Sequence, residues 1–468
     1  MDNILYYGDN LEILERLPGD YVDLIYLDPP FNSKRNYNVI FAEKNGTDSV
    51  AQIKAFDDTW RWDDQSEKYF RALVTKNPGK ISNALLGMKK ILGSSNMMAY
   101  LIMMAPRLIE MRRVLKKTGS IYLHCDPTAS HYLKILMDAI FGIDNFRNEI
   151  VWCYSRPSAK KQRQLSRVHD IIFWFSKSDN WHFNADNIRQ PYAKSSLSRA
   201  GYAGNASKLT SGGLVELKEN GKFPEDWIYI SPLKGNSREY LGYPTQKPEA
   251  LLERIILASC PENGIVLDPF CGCGTAISVA QRLKRRWVGI DITHLPINLI
   301  RHRLQKDFGN RVNYQVIGAP VCIEDAKALA QQDRYQFQFW ALGLVGARPA
   351  DEKKGPDQGI DGLLYFYDEK NKPKQIIIQV KSGSVNPHQI RDLRGVIERE
   401  NAQIGVFITL KEPTRSMYVE ASQAGFYTSP FAWKGKDKYP KMQILTIKEL
   451  LYGKSIDYPT GTDITLNR

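Results

Sequence analysis

Short apolar runs rich in β-branched side chains recur along the first two thirds of the chain, and stretches with the period of a helix separate them. The strand-like runs cover residues 4–7, 21–27, 119–126, 169–175, 265–268 and 287–291; the helix-like stretches cover 11–17, 85–115, 132–141 and 276–283. Strands that alternate with helices predict an α/β fold with a mainly parallel sheet. Sheets of this kind bind ligands at the carboxyl ends of their strands.

The strand predicted at residues 21–27 ends in the polar and rigid turn Asp28-Pro29-Pro30-Phe31. Two prolines in succession contribute no N–H and hold the preceding residues extended. The turn therefore offers hydrogen-bond acceptors, led by the Asp28 carboxylate, and the flat ring of Phe31. Fixed acceptors suit the exocyclic amine of a base, on which the ring could stack. For these four residues alone, a strand end with a capping Asp is the favoured alternative.

A second polar strand end follows residues 265–267, where a glycine-rich turn leads into a helix. Its residues are Asp268, Pro269, Phe270, Cys271, Gly272, Cys273, Gly274 and Thr275. Glycines allow close backbone approach to a ligand, and Asp291, at the end of the next strand, is placed to take ribose hydroxyls. Neither GxGxxG spacing nor a following Lys is present, which favours an adenosine ligand without pyrophosphate. Asp9 lies at a further strand-to-helix junction and could accept from a ligand amine or cap the helix.

The character of the chain changes after about residue 320. A helix is predicted at 334–344, and strands at 360–366 and 375–381 flank a charged turn. Gln379 and Lys381 share one face of the second strand, since alternate strand residues do, and the hairpin brings them towards Asp361. Such a group can hold Mg²⁺ and position a water for phosphodiester cleavage. A solvent-facing hairpin that happens to carry these residues is the alternative.

Composition narrows the class of protein. The 468 residues carry 64 basic and 51 acidic side chains, a formal charge of +13, which attracts polyanions such as DNA or RNA. The most concentrated basic stretch, residues 156–167, reads as an exposed loop suited to phosphate contact. No apolar run has spanning length, no secretory signal begins the chain, and six cysteines follow no regular framework. These features predict a soluble cytoplasmic protein without a membrane partner.

Together, three motifs in this order resemble the amino-directed DNA methyltransferases that use S-adenosylmethionine, in their β-type arrangement. The motifs are Asp28-Pro29-Pro30-Phe31, Thr245-Gln246-Lys247-Pro248 and the glycine-rich turn 268–275. The resemblance covers about residues 1–320 and implies a Rossmann-like methyltransferase domain. It assigns the catalytic role to Asp28, Pro29, Pro30 and Phe31. It assigns cofactor binding to Asp9, Thr245, Lys247, Asp268, Phe270, Gly272, Gly274, Thr275 and Asp291. Cys271 and Cys273 depart from the commoner Gly, Ser or Ala.

The same resemblance implies that double-stranded DNA is the partner and that the target base leaves the duplex. Residues 155–240 occupy the place of the target-recognition region. Asp rather than Ser before Pro-Pro-Phe favours adenine N6 over cytosine N4. A homodimer is also considered. Alternatives are a nucleic-acid-binding protein with a dead catalytic site, and an RNA or small-molecule methyltransferase.

Residues 325–430 resemble the PD-(D/E)xK nuclease fold, in particular the Mrr-like restriction endonucleases. This implies a smaller α/β domain at 325–468, with Asp361 and Gln379 as Mg²⁺ ligands and Lys381 as their catalytic partner. Gln379 replaces the second carboxylate of the broader superfamily pattern. The sequence therefore predicts a single-chain restriction–modification enzyme. The leading alternative is a methyltransferase whose C-terminal domain only binds DNA.

Overall fold

The computed structural model describes residues 3–30, 62–155, 165–192, 194–197, 220–243, 245–350, 359–369, 372–433, 436–459 and 462–463. Phe31, predicted to stack on the target base, lies outside these residues, as do most of the basic stretch and part of the predicted target-recognition region.

The larger sheet has nine strands in the order β6-β4-β5-β3-β2-β7-β8-β1-β9. They are β1 Asn3–Tyr7, β2 Val22–Leu27, β3 Leu115–Cys125, β4 Phe146–Cys153, β5 His169–Ser176, β6 Trp227–Tyr229, β7 Ile265–Asp268, β8 Arg286–Asp291 and β9 Tyr314–Ile317. The neighbouring pairs are parallel except those of β5, which runs antiparallel to β3 and β4. The α/β prediction with a mainly parallel sheet is confirmed.

Helices cover both faces of this sheet. They are α1 Asn10–Arg16, α2 Asp64–Lys76, α3 Lys80–Leu92, α4 Asn96–Val114, α5 Ser130–Phe141, α6 Lys194–Leu197, α7 Glu249–Ser259, α8 Thr275–Arg282 and α9 His294–Phe308; short 3₁₀ helices span Ile143–Asn145, Ala185–Ile188 and Gly309–Arg311. One core lies under α1–α5 and a second under α7–α9. Every residue of β2 is buried, which explains its nearly continuous apolar run.

The C-terminal part builds a second sheet in the order β10-β11-β12-β13-β16, with β17 beside β11 and a separate β14-β15 pair. Its strands are β10 Arg348–Pro349, β11 Gly362–Glu369, β12 Lys372–Lys381, β13 Ile404–Thr409, β14 Phe426–Trp433, β15 Lys436–Pro440, β16 Met442–Thr446 and β17 Thr462–Asp463. Its helices are α10 Ile323–Gln332, α11 Arg334–Leu344, α12 Pro387–Arg399, α13 Arg415–Ser422 and α14 Ile447–Leu451. The sheet has cores of its own on both faces.

Helices α9 and α11 join the two parts of the chain. The backbone N–H of His294 donates to Gln336 Oε1 at 3.1 Å, and Asn298 Nδ2 donates to the Phe339 carbonyl at 3.0 Å. Helix α9 begins three residues after Asp291, so the C-terminal part contacts the helix that follows this strand end. Within the described residues, none of the helices combines the length and the apolar character that crossing a membrane requires.

Candidate active site

Three carboxylates meet at one edge of the larger sheet. Strands β2, β7 and β8 are successive neighbours and run parallel, so their carboxyl ends lie together. Asp28 directly follows β2, while Asp268 and Asp291 are the last residues of β7 and β8. Adjacent strands lie roughly 5 Å apart. The sequence prediction that these strand ends share one site therefore agrees with the topology of the sheet.

Lys247 pairs with one of the two carboxylate oxygens of Asp28. Lys247 Nζ donates to Asp28 Oδ2, and the two side chains are 12% and 16% exposed. Asp28 Oδ1 is buried and has no hydrogen-bond partner among the described residues. Pro29 is buried and Pro30 half-buried. A buried acceptor without a donor costs free energy, so this oxygen is suited to a donor that a ligand brings.

The glycine-rich turn requires its glycines. Gly272 and Gly274 have φ of +47° and +74°, in the left-handed region that favours glycine. A Cβ at Gly274 would lie 2.5 Å from Ile300 Cγ1. The N–H of Gly272 donates to Asp291 Oδ2 at 3.0 Å, which ties the turn to the end of β8. Thr275 then begins α8.

Burial raises the pKa values of two carboxyl groups at this edge of the sheet. Desolvation raises the pKa of Asp291 to about 6, although hydrogen bonds from Thr293 and Gly272 favour the ionised form. Desolvation raises the pKa of Asp268 well above its ordinary value, and the neighbouring charges of Asp28 and Asp291 add to the effect, while the N–H of Phe270 opposes it. Burial therefore favours the neutral forms of Asp268 and Asp291, and a positively charged ligand beside them would favour their ionised forms.

Asp9 lies next to this turn but serves as a helix cap. Its carboxylate accepts from the N–H of Leu11 at 2.7 Å, and Arg107 Nη2 donates to both of its oxygens at 2.9 and 3.0 Å. Its neighbour Asn10 donates from Nδ2 to the Pro269 carbonyl at 2.8 Å. Asp9 thus has the capping contact that the sequence left open, and it is linked to the glycine-rich turn through Asn10.

The Thr245–Lys247 motif is fixed by a local network. The N–H of Gln246 donates to the Tyr243 carbonyl at 3.1 Å, and Gln246 Oε1 accepts from the N–H of Leu241 at 2.8 Å. Gln246 Nε2 also donates to the Glu239 carbonyl. Gln246 is buried and Thr245 half-buried. This turn directs Lys247 towards Asp28 across 219 residues of sequence.

Sequence reasoning missed two residues of this site. Tyr243 packs on the glycine-rich turn: a Cβ at Gly272 would lie 3.3 Å from Tyr243 Cε1. Arg303 of α9, with a side chain 3% exposed, pairs with Glu249 and reaches the Cys273 carbonyl at 3.4 Å. The position of Tyr243 directly before the Pro244-Thr245 segment was the only available signal for it. The sequence contained no such signal for Arg303, because an Arg in a helix is usually predicted to lie on the protein surface.

The C-terminal hairpin places Asp361 against the backbone of β12. The Asp361 N–H donates to the Ile378 carbonyl at 3.0 Å, and Asp361 Oδ2 accepts from the Val380 N–H at 2.7 Å, between Gln379 and Lys381. Gln379 Nε2 donates to the Gly359 carbonyl at 3.1 Å, while its buried Oε1 has no partner among the described residues. In the described part of the chain, no three His, Cys, Asp or Glu side chains group as metal ligands. A Mg²⁺ site here would depend on Asp361, the amide oxygen of Gln379 and water.

Two family models match the chain. The model described as "DNA methylase" (N6_N4_Mtase) matches residues 22–301. The model described as "NACHT-associated inactive Restriction Endonuclease 1" matches residues 335–452. The second match agrees with a restriction-endonuclease-like region and does not confirm the predicted Mrr-like endonuclease, because the model carries the word inactive.

Curated relatives match about two thirds of the chain. "DNA adenine methyltransferase YhdJ" of Escherichia coli (strain K12) is 26% identical over 308 residues, 64% of this chain and 82% of that protein. "Type II methyltransferase M.HpaI" of Haemophilus parainfluenzae is 28% identical over 308 residues, 66% of this chain and 76% of that protein. Among solved structures, the PvuII DNA methyltransferase (cytosine-N4-specific) matches with a TM-score of 0.41 and 16% identity, over 67% of this chain and 89% of that chain.

Proposed function

Because this chain belongs to the N6/N4 DNA methylase family, whose model matches residues 22–301, we propose that it methylates adenine N6 in double-stranded DNA with S-adenosylmethionine as the donor. The observation that carries the proposal is Oδ1 of Asp28, which has no hydrogen-bond partner among the described residues and is buried at the sheet edge where Asp291 and the glycine-rich turn also lie. Residues 1–320 form the proposed methyltransferase domain, with 155–240 as its target-recognition region.

The residues at this edge fit the proposed cofactor. Asp291 would accept from the ribose hydroxyls, and the turn of Phe270, Gly272 and Gly274 would lie along the cofactor, with Asp268 and Thr275 at its two ends. Thr245 and Lys247 would lie near the methionine end and Asp9 near the adenine end. When bound, S-adenosylmethionine supplies a methyl group on a positively charged sulfur. The ionised carboxylate of Asp291 would complement that charge.

Asp28 would act on the target amine. An aromatic amine is a poor nucleophile because its lone pair is delocalised into the ring. Asp28 Oδ1 and the carbonyls beside Pro29 and Pro30 would accept its hydrogens and favour a tetrahedral nitrogen. Lys247 on Oδ2 holds the carboxylate in place, and Phe31 is proposed to stack on the flipped base. Unstacking that base costs a few kcal/mol, which contacts of this kind must offset.

The preference for adenine rests on the Asp of Asp28-Pro29-Pro30 and on one relative. YhdJ is named as an adenine methyltransferase, whereas the PvuII enzyme is cytosine-N4-specific. Both bases offer an exocyclic amine to the same acceptors. Cytosine N4 is therefore the second candidate target.

Methylation of host DNA tests the proposal. Long-read sequencing of DNA from cells that express the protein should show N6-methyladenine at one sequence motif. With Asp28→Ala the mark should disappear, while S-adenosylmethionine binding, measured by calorimetry, stays within about threefold, because Asp28 serves the base. Asp126→Ala, at the end of β3, is the matched control and should leave the mark intact. Normal methylation by Asp28→Ala would refute the role of Asp28, and marks on cytosine N4 would select the second target.

We also propose a Mg²⁺-dependent endonuclease site at Asp361, Gln379 and Lys381, within a domain at residues 325–468. The buried Gln379 Oε1, which has no hydrogen-bond partner in the described part of the chain, supports it, because amide and carboxylate oxygens are ligands that Mg²⁺ prefers. Lys381, at the end of β12, would position the attacking water or stabilise the charged phosphate. The name of the matching family model supports the alternative, a domain that only binds DNA.

A cleavage assay on unmethylated plasmid DNA distinguishes an active endonuclease from a domain that only binds DNA. Purified protein with Mg²⁺ should nick or cut the plasmid, and Asp361→Ala or Lys381→Ala should reduce the rate by at least about a hundredfold. Asp392→Ala, on the exposed face of α12, is the control and should cut normally. If the wild-type protein binds the plasmid but cuts with neither Mg²⁺ nor Mn²⁺, with or without S-adenosylmethionine, the DNA-binding reading is correct.

A further inference from the structure

Tyr243 contacts the glycine-rich turn and precedes Lys247 by four residues. Its ring packs on Gly272, which donates its N–H to Asp291 at 3.0 Å. Four residues further on, Lys247 contacts Asp28. The turn closed by the hydrogen bond from Gln246 to the Tyr243 carbonyl fixes the backbone between these contacts. The phenol ring is thereby held beside Gly272, the residue whose N–H donates to Asp291.

Two carboxylates, those of Asp291 and Asp28, lie near the ring. Burial raises the pKa of Tyr243 well above its ordinary value, and the charge of Asp291, the two turn cysteines and the charge of Asp28 act in the same direction. The side chain therefore stays a neutral phenol. The residue as a whole is half-buried. An aromatic ring flanked by carboxylates is a favourable place for a cation that is poorly hydrated.

We propose that the Tyr243 ring contacts the positively charged sulfonium of the methyl donor and so distinguishes the donor from its neutral sulfide product. The inference rests on the proposed methyltransferase function and adds a specificity-determining residue to it. Loss of the positive charge on methyl transfer removes the attraction to the ring. Tyr243 would then favour exchange of the spent product for a new donor.

Calorimetry on the full chain tests this with two ligands, S-adenosylmethionine and S-adenosylhomocysteine. Tyr243→Leu should weaken binding of the sulfonium about three- to thirtyfold, the range of a cation–π contact that is partly desolvated. Binding of the sulfide should weaken less, so the ratio of the two dissociation constants should change at least threefold. Tyr243→Phe keeps the ring and should keep the wild-type ratio. Tyr452→Leu, at an exposed position directly after α14, is the control for a lost tyrosine.

Each result of the calorimetric experiment leads to one conclusion. Equal weakening of both ligands by Tyr243→Leu would show that the ring is only a wall of the site, and the inference would fail. A ratio lost in Tyr243→Phe would assign the effect to the hydroxyl and would also overturn it. Binding of neither ligand to the wild-type protein would instead defeat the proposed methyltransferase function. Thermal unfolding of each variant checks that the fold is intact, and Tyr243→Phe keeps the test valid if Tyr243→Leu does not fold.

Discussion

At the scale of single residues, the site depends on carboxylates that are kept in unfavourable surroundings. Asp291 is 4% exposed and its pKa is raised to about 6, yet it accepts hydrogen bonds from Thr293 and Gly272. In the folded state the protonated form is therefore favoured relative to the unfolded chain. Its contribution to stability is present below the ordinary pKa of 3.8 and is lost as the pH rises through about 6.

The same pKa predicts how donor binding depends on pH. A cation near Asp291 favours the ionised carboxylate, so affinity for S-adenosylmethionine should fall as the pH decreases below about 6, by up to about tenfold per pH unit. Calorimetric titrations between about pH 5 and pH 8, a range that includes the raised pKa, measure this change in affinity. The Asp291→Asn variant should bind S-adenosylmethionine weakly at every pH, and its affinity should not change with pH. If that variant keeps the wild-type pH profile, another group is responsible.

At the scale of elements, the junction between β7 and α8 positions the cofactor turn. Arg303 of α9 pairs with Glu249, the first residue of α7, and reaches the Cys273 carbonyl and Thr275 Oγ1 at 3.4 Å. One buried side chain thus ties the turn to the helix that follows Lys247. The turn itself depends on glycine, since Gly274 is left-handed and packs against Ile300.

Replacing Gly274 tests the role of this junction. Gly274→Ala should cost about 1–3 kcal/mol in the free energy of unfolding by urea, because strain at positive φ and contact with Ile300 add together. Donor affinity should fall at least about tenfold. Gly93→Ala is the matched control, with a φ of +61° and open space around the added Cβ. It should lose about 1–3 kcal/mol from backbone strain alone and bind the donor normally; equal losses of affinity in both variants would contradict the role given to the turn.

At the scale of the whole molecule, the proposed activities are built on two different sheets that touch through α9 and α11. The hydrogen bonds from His294 to Gln336 and from Asn298 to Phe339 lie on the helix that follows Asp291. A Cβ at Gly343 would lie 1.9 Å from Asn298 Nδ2, so this helix contact leaves no room for a larger residue. The formal charge of +13 suits a polyanionic partner for the chain as a whole. Cytoplasmic location and homodimerisation stay predictions of the sequence.

The sequence by itself determined the α/β class, most strands and helices, and the polar ends of β2, β7 and β8. These features are local: apolar period, proline and glycine at turns, and a carboxylate directly after a buried run. The proximity of Asp361 to Gln379 was also accessible, since a hairpin and the alternation of strand residues are enough to place them. The order of the motifs was sufficient to suggest the family.

Only the tertiary structure decided which side chains complete the site. Lys247 meets Asp28 across 219 residues, and the reach of Arg303 to Cys273 and the packing of Tyr243 on Gly272 are likewise contacts between distant elements. Such contacts depend on the order of strands in the sheet, which brings β2, β7 and β8 side by side, and no local pattern encodes that order. Asp9 shows the same limit, because its cap and its Arg107 partner could be told from a ligand contact only once α4 was seen to lie beside it.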